Sequence, residues 1–341
     1  MTDHRLSVWI LGDQLIQNHP ALVQAEAEDG REHFLVVLVE SRGRFLKRPY
    51  QRKKLVLLLS AMRHYAAELR RHGYRVELAK AATFGQGLKR FVVNWQADRL
   101  ICMAASDLAG RRFQQERLPD LLDIPVVVQP NRQFLTAQYD PYPDPQAGKR
   151  YVMEYFYRKM RRHFDVLMSA DGPAGGKWNY DRENRKPWPK GKEPPPIIAF
   201  EPDKLTRQAM EEVAGFRAAI GTTTGFNLAV SREQALQALE DFITLRLPEF
   251  GPYEDALSSL HHHLYHSKLS AYLNIGLLAP MEVIRSAEQA FSAGVAPINS
   301  VEGFIRQILG WREYIYWQYW RLGPDLAASN FWEARRPLPR F

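Results

Sequence analysis

Residues 301–320 read VEGFIRQILGWREYIYWQYW. Phe304, Ile308, Trp311, Ile315 and Tyr319 recur at helical steps, which predicts one helix with these side chains on a single face and Arg306, Arg312 and Glu313 on its flanks. On pattern alone this is equally the stripe of a buried core helix. Upstream, residues 265–278 read YHSKLSAYLNIGLL, a polar turn of His266, Ser267 and Lys268 opening an apolar helical run. Backbone N–H groups, hydroxyls and one ammonium meet there, so the turn can accept an anion such as a phosphate.

Working outward, 341 residues exceed what one hydrophobic core usually serves and predict two domains. Lys and Arg outnumber Asp and Glu by 46 to 38, and the pI near 9.5 favours an anionic partner or simply a basic soluble protein. The one cysteine, Cys102, lies in the apolar run LICMAA and excludes both an internal disulfide and a CxxC metal site. His262 and His266 stand one helical turn apart, but a metal site needs further ligands, and none is assigned. The N-terminal MTDHRLSVWILGDQ lacks the apolar core of a signal peptide, and no membrane-length apolar run follows, so a cytoplasmic protein without membrane function is expected.

Short apolar runs alternate with helical patterns before residue 131: LSVWIL, FLVVLV, RVELA, RLICMA and PVVVQ. Runs apolar on both faces belong in a parallel sheet covered by helices, and the stripe Leu55, Leu58, Leu59, Met62, Ala66 and Leu69 supplies one such helix. A doubly wound α/β domain is predicted, with Asp13, Gln14, Glu40, Ser41, Ser106 and Asp107 at the carboxyl ends of strands, where ligands bind in such sheets. No GxGxxG or GxxxxGK sequence is present.

From Asn131 the chain becomes rich in Pro, Gly and charge, with DPYPDP and KPWPKGKEPPP breaking any continuous helix. Between the breaks, RYVMEYFYRKMRRHF has helical spacing and sets Arg158, Arg161 and Arg162 among aromatic rings. That mixture suits phosphates and unstacked bases, or equally a helix that docks the connector onto its neighbours. Near Asn227 an all-helical pattern begins, and Ser231 followed by Gln234 marks a helix start.

The segments GDQL at Gly12, SAMRHYAAELRRHGYRV at Ser60, MEYFYRKMRR at Met153, GGKWNYDRENR at Gly175 and EGFIRQILGWREY at Glu302, with the SKLSAYL turn, resemble the DNA photolyase and cryptochrome family. The nearest branch is that of the bacterial, iron–sulfur-bearing prokaryotic (6-4) photolyases. The resemblance implies a doubly wound parallel-sheet domain (1–131), a connector (132–226) and an incomplete all-α FAD-binding domain (227–341). It implies a lyase that repairs pyrimidine photoproducts in damaged DNA, of (6-4) type, with light and reduced FAD. A cryptochrome-like photoreceptor without repair and an inactive remnant are the alternatives.

By the same resemblance Tyr253, His266, Ser267, Lys268, Leu269 and Ser270 surround the FAD phosphates, with Phe304, Gln307 and Arg312 on the facing helix. Many photolyases have Glu where this chain has Gln307. Trp311 is expected at the cavity wall near the lesion, Arg158, Arg161 and Arg162 on DNA, and Asp13, Gln14 and Glu40 at an antenna chromophore. The lumazine-type antenna of the iron–sulfur members meets a departure here, because Arg44 and Lys47 stand where an acidic and an aromatic residue are expected. Family members continue past the RPLPRF that ends this sequence, and that stretch supplies the isoalloxazine contacts, the active-site histidines and the cluster cysteines. The catalytic residues are therefore expected beyond Phe341, and no cluster ligands can be placed. Weak FAD binding, no repair activity and an uncovered aromatic face of Trp311, Tyr314, Tyr316, Trp317, Tyr319, Trp320 and Trp332 are the further expectations, with a monomer when complete.

Overall fold

The apolar runs form the strands expected of them: β1 Leu6–Ile10, β2 Leu35–Ser41, β3 Arg75–Ala81, β4 Arg99–Met103 and β5 Val126–Gln129. This computed structural model describes residues 5–330 and 332–337. The strands pair in parallel in the order β3-β2-β1-β4-β5, with Val8 opposite both Val36 and Ile101. Both faces are apolar because both are covered. Val8, Ile10, Val36, Leu38 and Ile101 enter a core continuous with the helical half, whereas Trp9, Val37, Val39, Leu100 and Cys102 enter a second core.

Around the sheet lie α1 Pro20–Asp29, α2 Arg42–Leu46, α3 Arg52–Arg71, α4 Phe84–Trp95, α5 Leu108–Arg112 and α6 Leu118–Leu122. Helix α3 buries Leu55, Leu59, Met62, Ala66 and Leu69, and α4 closes the second core with Leu88, Phe91 and Val92. The strand order reverses between β1 and β4, which puts the crevice of a doubly wound sheet beside Asp13 and Asp107.

Beyond the sheet come α7 Met153–Phe164, a two-stranded ribbon of Met168–Ser169 and Gly172–Pro173, and α8 Lys204–Ala214. Helix α8 follows directly on the proline-rich stretch and was not expected. Asp203 caps it by accepting from the Thr206 N–H at 2.9 Å, and its apolar side packs against α3. Then follow α9 Arg232–Leu245, α10 Leu247–Tyr253, α11 Ser270–Ile275, α12 Pro280–Ser292, α13 Ile298–Ile305, α14 Glu313–Leu322 and α15 Asp325–Ala328. The start of α9 is the expected capping pair: Gln234 N–H donates to Ser231 Oγ at 3.3 Å, and Gln234 Oε1 accepts from Val230 N–H at 2.9 Å. Among the described residues no helix is long and apolar enough to cross a membrane.

The 301–320 stretch corrects its own sequence reading. Helices α13 and α14 are joined by a π-helical segment, Arg306–Arg312, so the winding loosens in the middle of the run. Phe304 and Ile308 are buried as expected, but beyond the π segment the inward face has rotated. Trp311 and Ile315 are 45% and 58% exposed, while Arg306, Glu313 and Trp317 are buried. The aromatic face is also better covered than its composition suggested. Trp317 packs on Tyr151, Tyr142 and Phe156, and Tyr316 stacks on Phe134 at 3.6 Å. Arg111 lies over Trp320, and Tyr319 Oη accepts from the Leu108 N–H at 2.9 Å. Of the rings expected to be uncovered, Trp311 and Trp332 are exposed.

Candidate functional site: a cavity between α10, α11 and the α13–α14 helix

A cavity of about 520 Å³ opens between the end of α10, the turn before α11 and the α13–π segment. His266, Ser267, Lys268, Leu269 and Ser270 line one side, and Phe304, Gln307, Ile308 and Arg312 the other. Lys268 adopts φ +60°, a left-handed conformation that a lysine rarely holds without constraint from its surroundings. Ser267 Oγ accepts from the Leu269 N–H at 3.4 Å, closing the turn on itself. Helix α11 was expected to run on through Leu278 but has six residues, too few for an appreciable macrodipole. Hydroxyls and side-chain charges therefore have to do most of the anion binding.

What stops α11 is Gly276, at φ +87°. The Ile275 carbonyl there accepts from Leu15 N–H at 2.9 Å, and a Cβ on Gly276 would come within 2.7 Å of Ile16 Cγ2 and 2.9 Å of Leu15 N. The loop leaving β1 is thus pressed directly against the helix that carries the turn.

Arg312 supplies the cavity's second cation. Its Nη1 donates to the Gln133 carbonyl at 2.9 Å and lies 3.1 Å from Glu313 Oε1, and the guanidinium rests 4.0 Å from the centre of the Phe134 ring. Its Nε and Nη2 are buried and have no hydrogen-bond partner. Unmade bonds on a buried cation are costly, and these two N–H-bearing nitrogens are the sort of group an anionic oxygen would satisfy. Burial pulls the Arg312 pKa down and pushes the Glu313 carboxyl up, although Glu313 Oε2 also accepts from the Thr136 N–H at 3.0 Å.

The opposite end of the cavity is acidic, with Glu254 and Asp255. Burial raises the pKa of Glu254, against the hydrogen bond from Asn184. His266 Nε2 lies 3.1 Å from the Glu254 carbonyl oxygen, which ties the turn to the end of α10.

Of the expected cofactor contacts, His266, Ser267, Lys268, Leu269, Ser270, Phe304, Gln307 and Arg312 meet at this cavity. Tyr253 does not. It is buried against Trp188 and Tyr265, its ring 4.5 Å from Lys192 Nζ. Trp311 stands outside the cavity, on the surface of the helix, edge-on to Tyr314.

Arg161 was expected on the surface and is entirely buried. Its guanidinium donates to the carbonyls of Val166 at 3.1 Å, Trp178 at 3.0 Å and Leu167 at 2.5 Å, so it staples the end of α7 to the connector. Arg162 is exposed and Arg158 half-buried, and both lie against the Trp178 ring, at 4.6 and 5.4 Å.

At the sheet edge the antenna candidates part company. Asp13 is open to solvent yet crowded at the crevice, where burial raises its pKa, Asp107 adds to the rise and Arg44 and Lys54 oppose it. Gln14 is buried and donates to the Ala104 carbonyl at 2.9 Å, so it fills the crevice floor. Both oxygens of Glu40 accept from Arg63, at 2.8 and 3.1 Å, and Arg63 also holds Glu212 of α8 at 2.7 Å. Glu40 therefore bonds sheet to helix and is not free for a ligand. Glu254 and Asn184 went unnoticed in the sequence, where no spacing or periodicity distinguishes them.

A parallel sheet with a reversal point, joined through one shared core to a helical half that holds an anion-compatible cavity, defines a protein of photolyase architecture. The crystal structure of a bacterial class III photolyase from Agrobacterium tumefaciens matches this arrangement with a TM-score of 0.60, over 97% of this chain and 61% of that one; at 18% identity the likeness concerns the fold alone. The chain belongs to the family described as deoxyribodipyrimidine photo-lyase-related protein, whose family model matches residues 8–228. It is 38% identical to a (6-4) photolyase of Agrobacterium fabrum over 98% of its own length, and spans 66% of the length of that relative. An uncharacterized protein of Acanthamoeba polyphaga mimivirus is 33% identical over 85 residues, which are 25% of this chain and 65% of that protein.

Proposed function

We propose that the chain binds FAD in this cavity and acts as a cytoplasmic, light-driven DNA-repair lyase on pyrimidine photoproducts, of the (6-4) type that names its relative. The reading is carried by one convergence: the Ser267, Lys268 and Ser270 turn faces a buried guanidinium, Arg312, with two unpaired nitrogens. Two hydroxyls, an ammonium and a guanidinium match the oxygens and charge of a pyrophosphate. Phe250, Leu273, Phe304 and Ile308 add apolar walls for flat rings, and the volume falls within the roughly 300–1,000 Å³ usual for small-ligand sites.

Reduced FAD, when bound and excited by light, supplies the electron that rearranges the photoproduct. The chain's own residues fix the cofactor's phosphates, exclude water and grip the DNA. For the last task Arg158 and Arg162 beside Trp178 suit phosphates and an unstacked base. An antenna chromophore, if carried, would meet Asp13 at the sheet crevice. An iron–sulfur cluster does not fit the residues here: the one cysteine, Cys102, is fully buried in β4 and its thiol is pushed up to about 12.

The test is a pair of measurements on the purified chain: saturable FAD binding, and light-dependent loss of (6-4) photoproducts from a defined oligonucleotide. Binding with repair supports the whole reading. Binding without repair restricts it to the cofactor site, and no binding removes it.

A further inference from the structure

The acidic wall of the cavity is organised as a directed chain of hydrogen bonds. Asn299 Nδ2 donates to Asn184 Oδ1 at 3.0 Å, which leaves Asn184 Nδ2 as a donor, 3.3 Å from Glu254 Oε1. Glu254 Oε2 accepts from Gln307 Nε2 at 3.4 Å, and the same Nε2 donates to the Gly303 carbonyl at 3.3 Å. A carboxylate and a carbonyl can only accept, so the Gln307 amide cannot turn over while Glu254 is ionised. Its nitrogen is held toward the helix and Glu254. Its Oε1 has no protein partner among the described residues and is the free end of a cavity-lining side chain.

The seat is closely built. A Cβ on Gly303 would stand 3.0 Å from Asn184 Nδ2 and 3.2 Å from Glu254 Oε2, so only a glycine lets the carboxylate lie against the helix. The chain lacks the glutamate that many members of the resembled family place at position 307, yet a carboxylate reaches the same spot from the end of α10, across the cavity.

We propose that Glu254 orients Gln307 so that the cavity presents a hydrogen-bond acceptor, Gln307 Oε1, to an N–H of a heterocyclic ring, belonging either to the bound dinucleotide or to a pyrimidine of the DNA. This deepens the FAD reading and rests on it. Glu254 is a positioning residue, and Gln307 is the one that sets specificity.

The full chain, Glu254→Gln and Gln307→Leu are each titrated with FAD and with two analogues, one carrying oxygen in place of the adenine amino group and one methylated at the flavin imide nitrogen. The FAD-loaded proteins are then titrated with photoproduct-containing and undamaged oligonucleotides. If the dinucleotide supplies the N–H, the wild type prefers FAD over one analogue by about tenfold. That preference vanishes in Gln307→Leu and shrinks in Glu254→Gln, where a neutral amide lets Gln307 turn over. If the DNA supplies it, the flavins bind alike, and a similar preference for damaged DNA is lost in the same variants. A merely structural role would weaken every ligand together and leave the ratios where they were. FAD binding with unaltered ratios in Gln307→Leu, whose side chain is on the cavity surface and not in the core, overturns the proposal alone. A wild type that binds no FAD overturns the reading beneath it as well.

Discussion

The guanidinium of Arg312 is anchored to the Gln133 carbonyl through Nη1 at 2.9 Å, while Nε and Nη2 of the same group stay buried and unpaired. One anchored and two free nitrogens make a side chain that is already oriented before a ligand arrives, so little rotamer entropy remains to be lost on binding. The residue anchoring it belongs to the connector after β5. The sheet half thereby helps aim a cation into the helical half.

Ser267→Asp tests the facing turn. A carboxylate there would oppose a bound pyrophosphate at a half-buried site, and a weakening of FAD binding by tenfold or more is expected, about 1.4 kcal/mol or above. Circular dichroism checks that the fold is intact. Unchanged affinity in a folded variant would move the phosphates elsewhere.

The arginines of α7 should separate by role. Arg158→Ala with Arg162→Ala should leave stability nearly unchanged and reduce the salt slope of DNA binding by about 2. Arg161→Ala should instead cost about 3 kcal/mol or more, because three carbonyls lose a buried donor. Urea unfolding and DNA titrations over a range of salt distinguish the two patterns.

His19 predicts a pH dependence. It is fully buried with neither ring nitrogen bonded, and burial lowers its pKa from 6.5 to about 3. Between those values the unfolded chain binds a proton that the folded chain refuses, so stability falls as pH falls, by up to roughly 4 kcal/mol at the lower end. Urea midpoints of the wild type and His19→Leu, taken at about pH 7 and about pH 4, should converge at the higher pH and part at the lower, with the variant more stable in acid.

Gly276→Ala should be strongly destabilising. Its φ of +87° strains any side chain, and the new Cβ would collide with backbone at Leu15. A loss of about 2–3 kcal/mol is expected, together with weaker FAD binding, since the α11 turn leans on that contact. Thermal unfolding with and without FAD measures both.

Much of this fold was legible in the sequence because strands apolar on both faces leave few alternatives, and because Leu55 to Leu69 carries a clean helical stripe. The turn at Ser267 and the facing Phe304, Gln307 and Arg312 were legible through their resemblance to a known pattern. Trp311 and Ile315 were misplaced because the stripe assumes one winding throughout, and a π segment changes the face without changing the composition. Arg161 carried a readable signal: it lies one helical turn after Tyr157, on the face that is buried. Helix α8 was hidden by the prolines just before it. Glu40 and Glu254 could not have been told apart in sequence, since what separates them is whether Arg63 of α3 or the Gln307 amide faces the carboxylate.

The central claim is that this cavity holds the pyrophosphate of FAD between the Ser267 turn and Arg312. Fluorescence titration of FAD into the wild-type chain and Arg312→Met tests it most directly. The account predicts saturable binding of one FAD per chain, weakened at least tenfold, about 1.4 kcal/mol, in Arg312→Met with the fold retained. Equal affinity of the two proteins, or no saturable binding by the wild type, would contradict it.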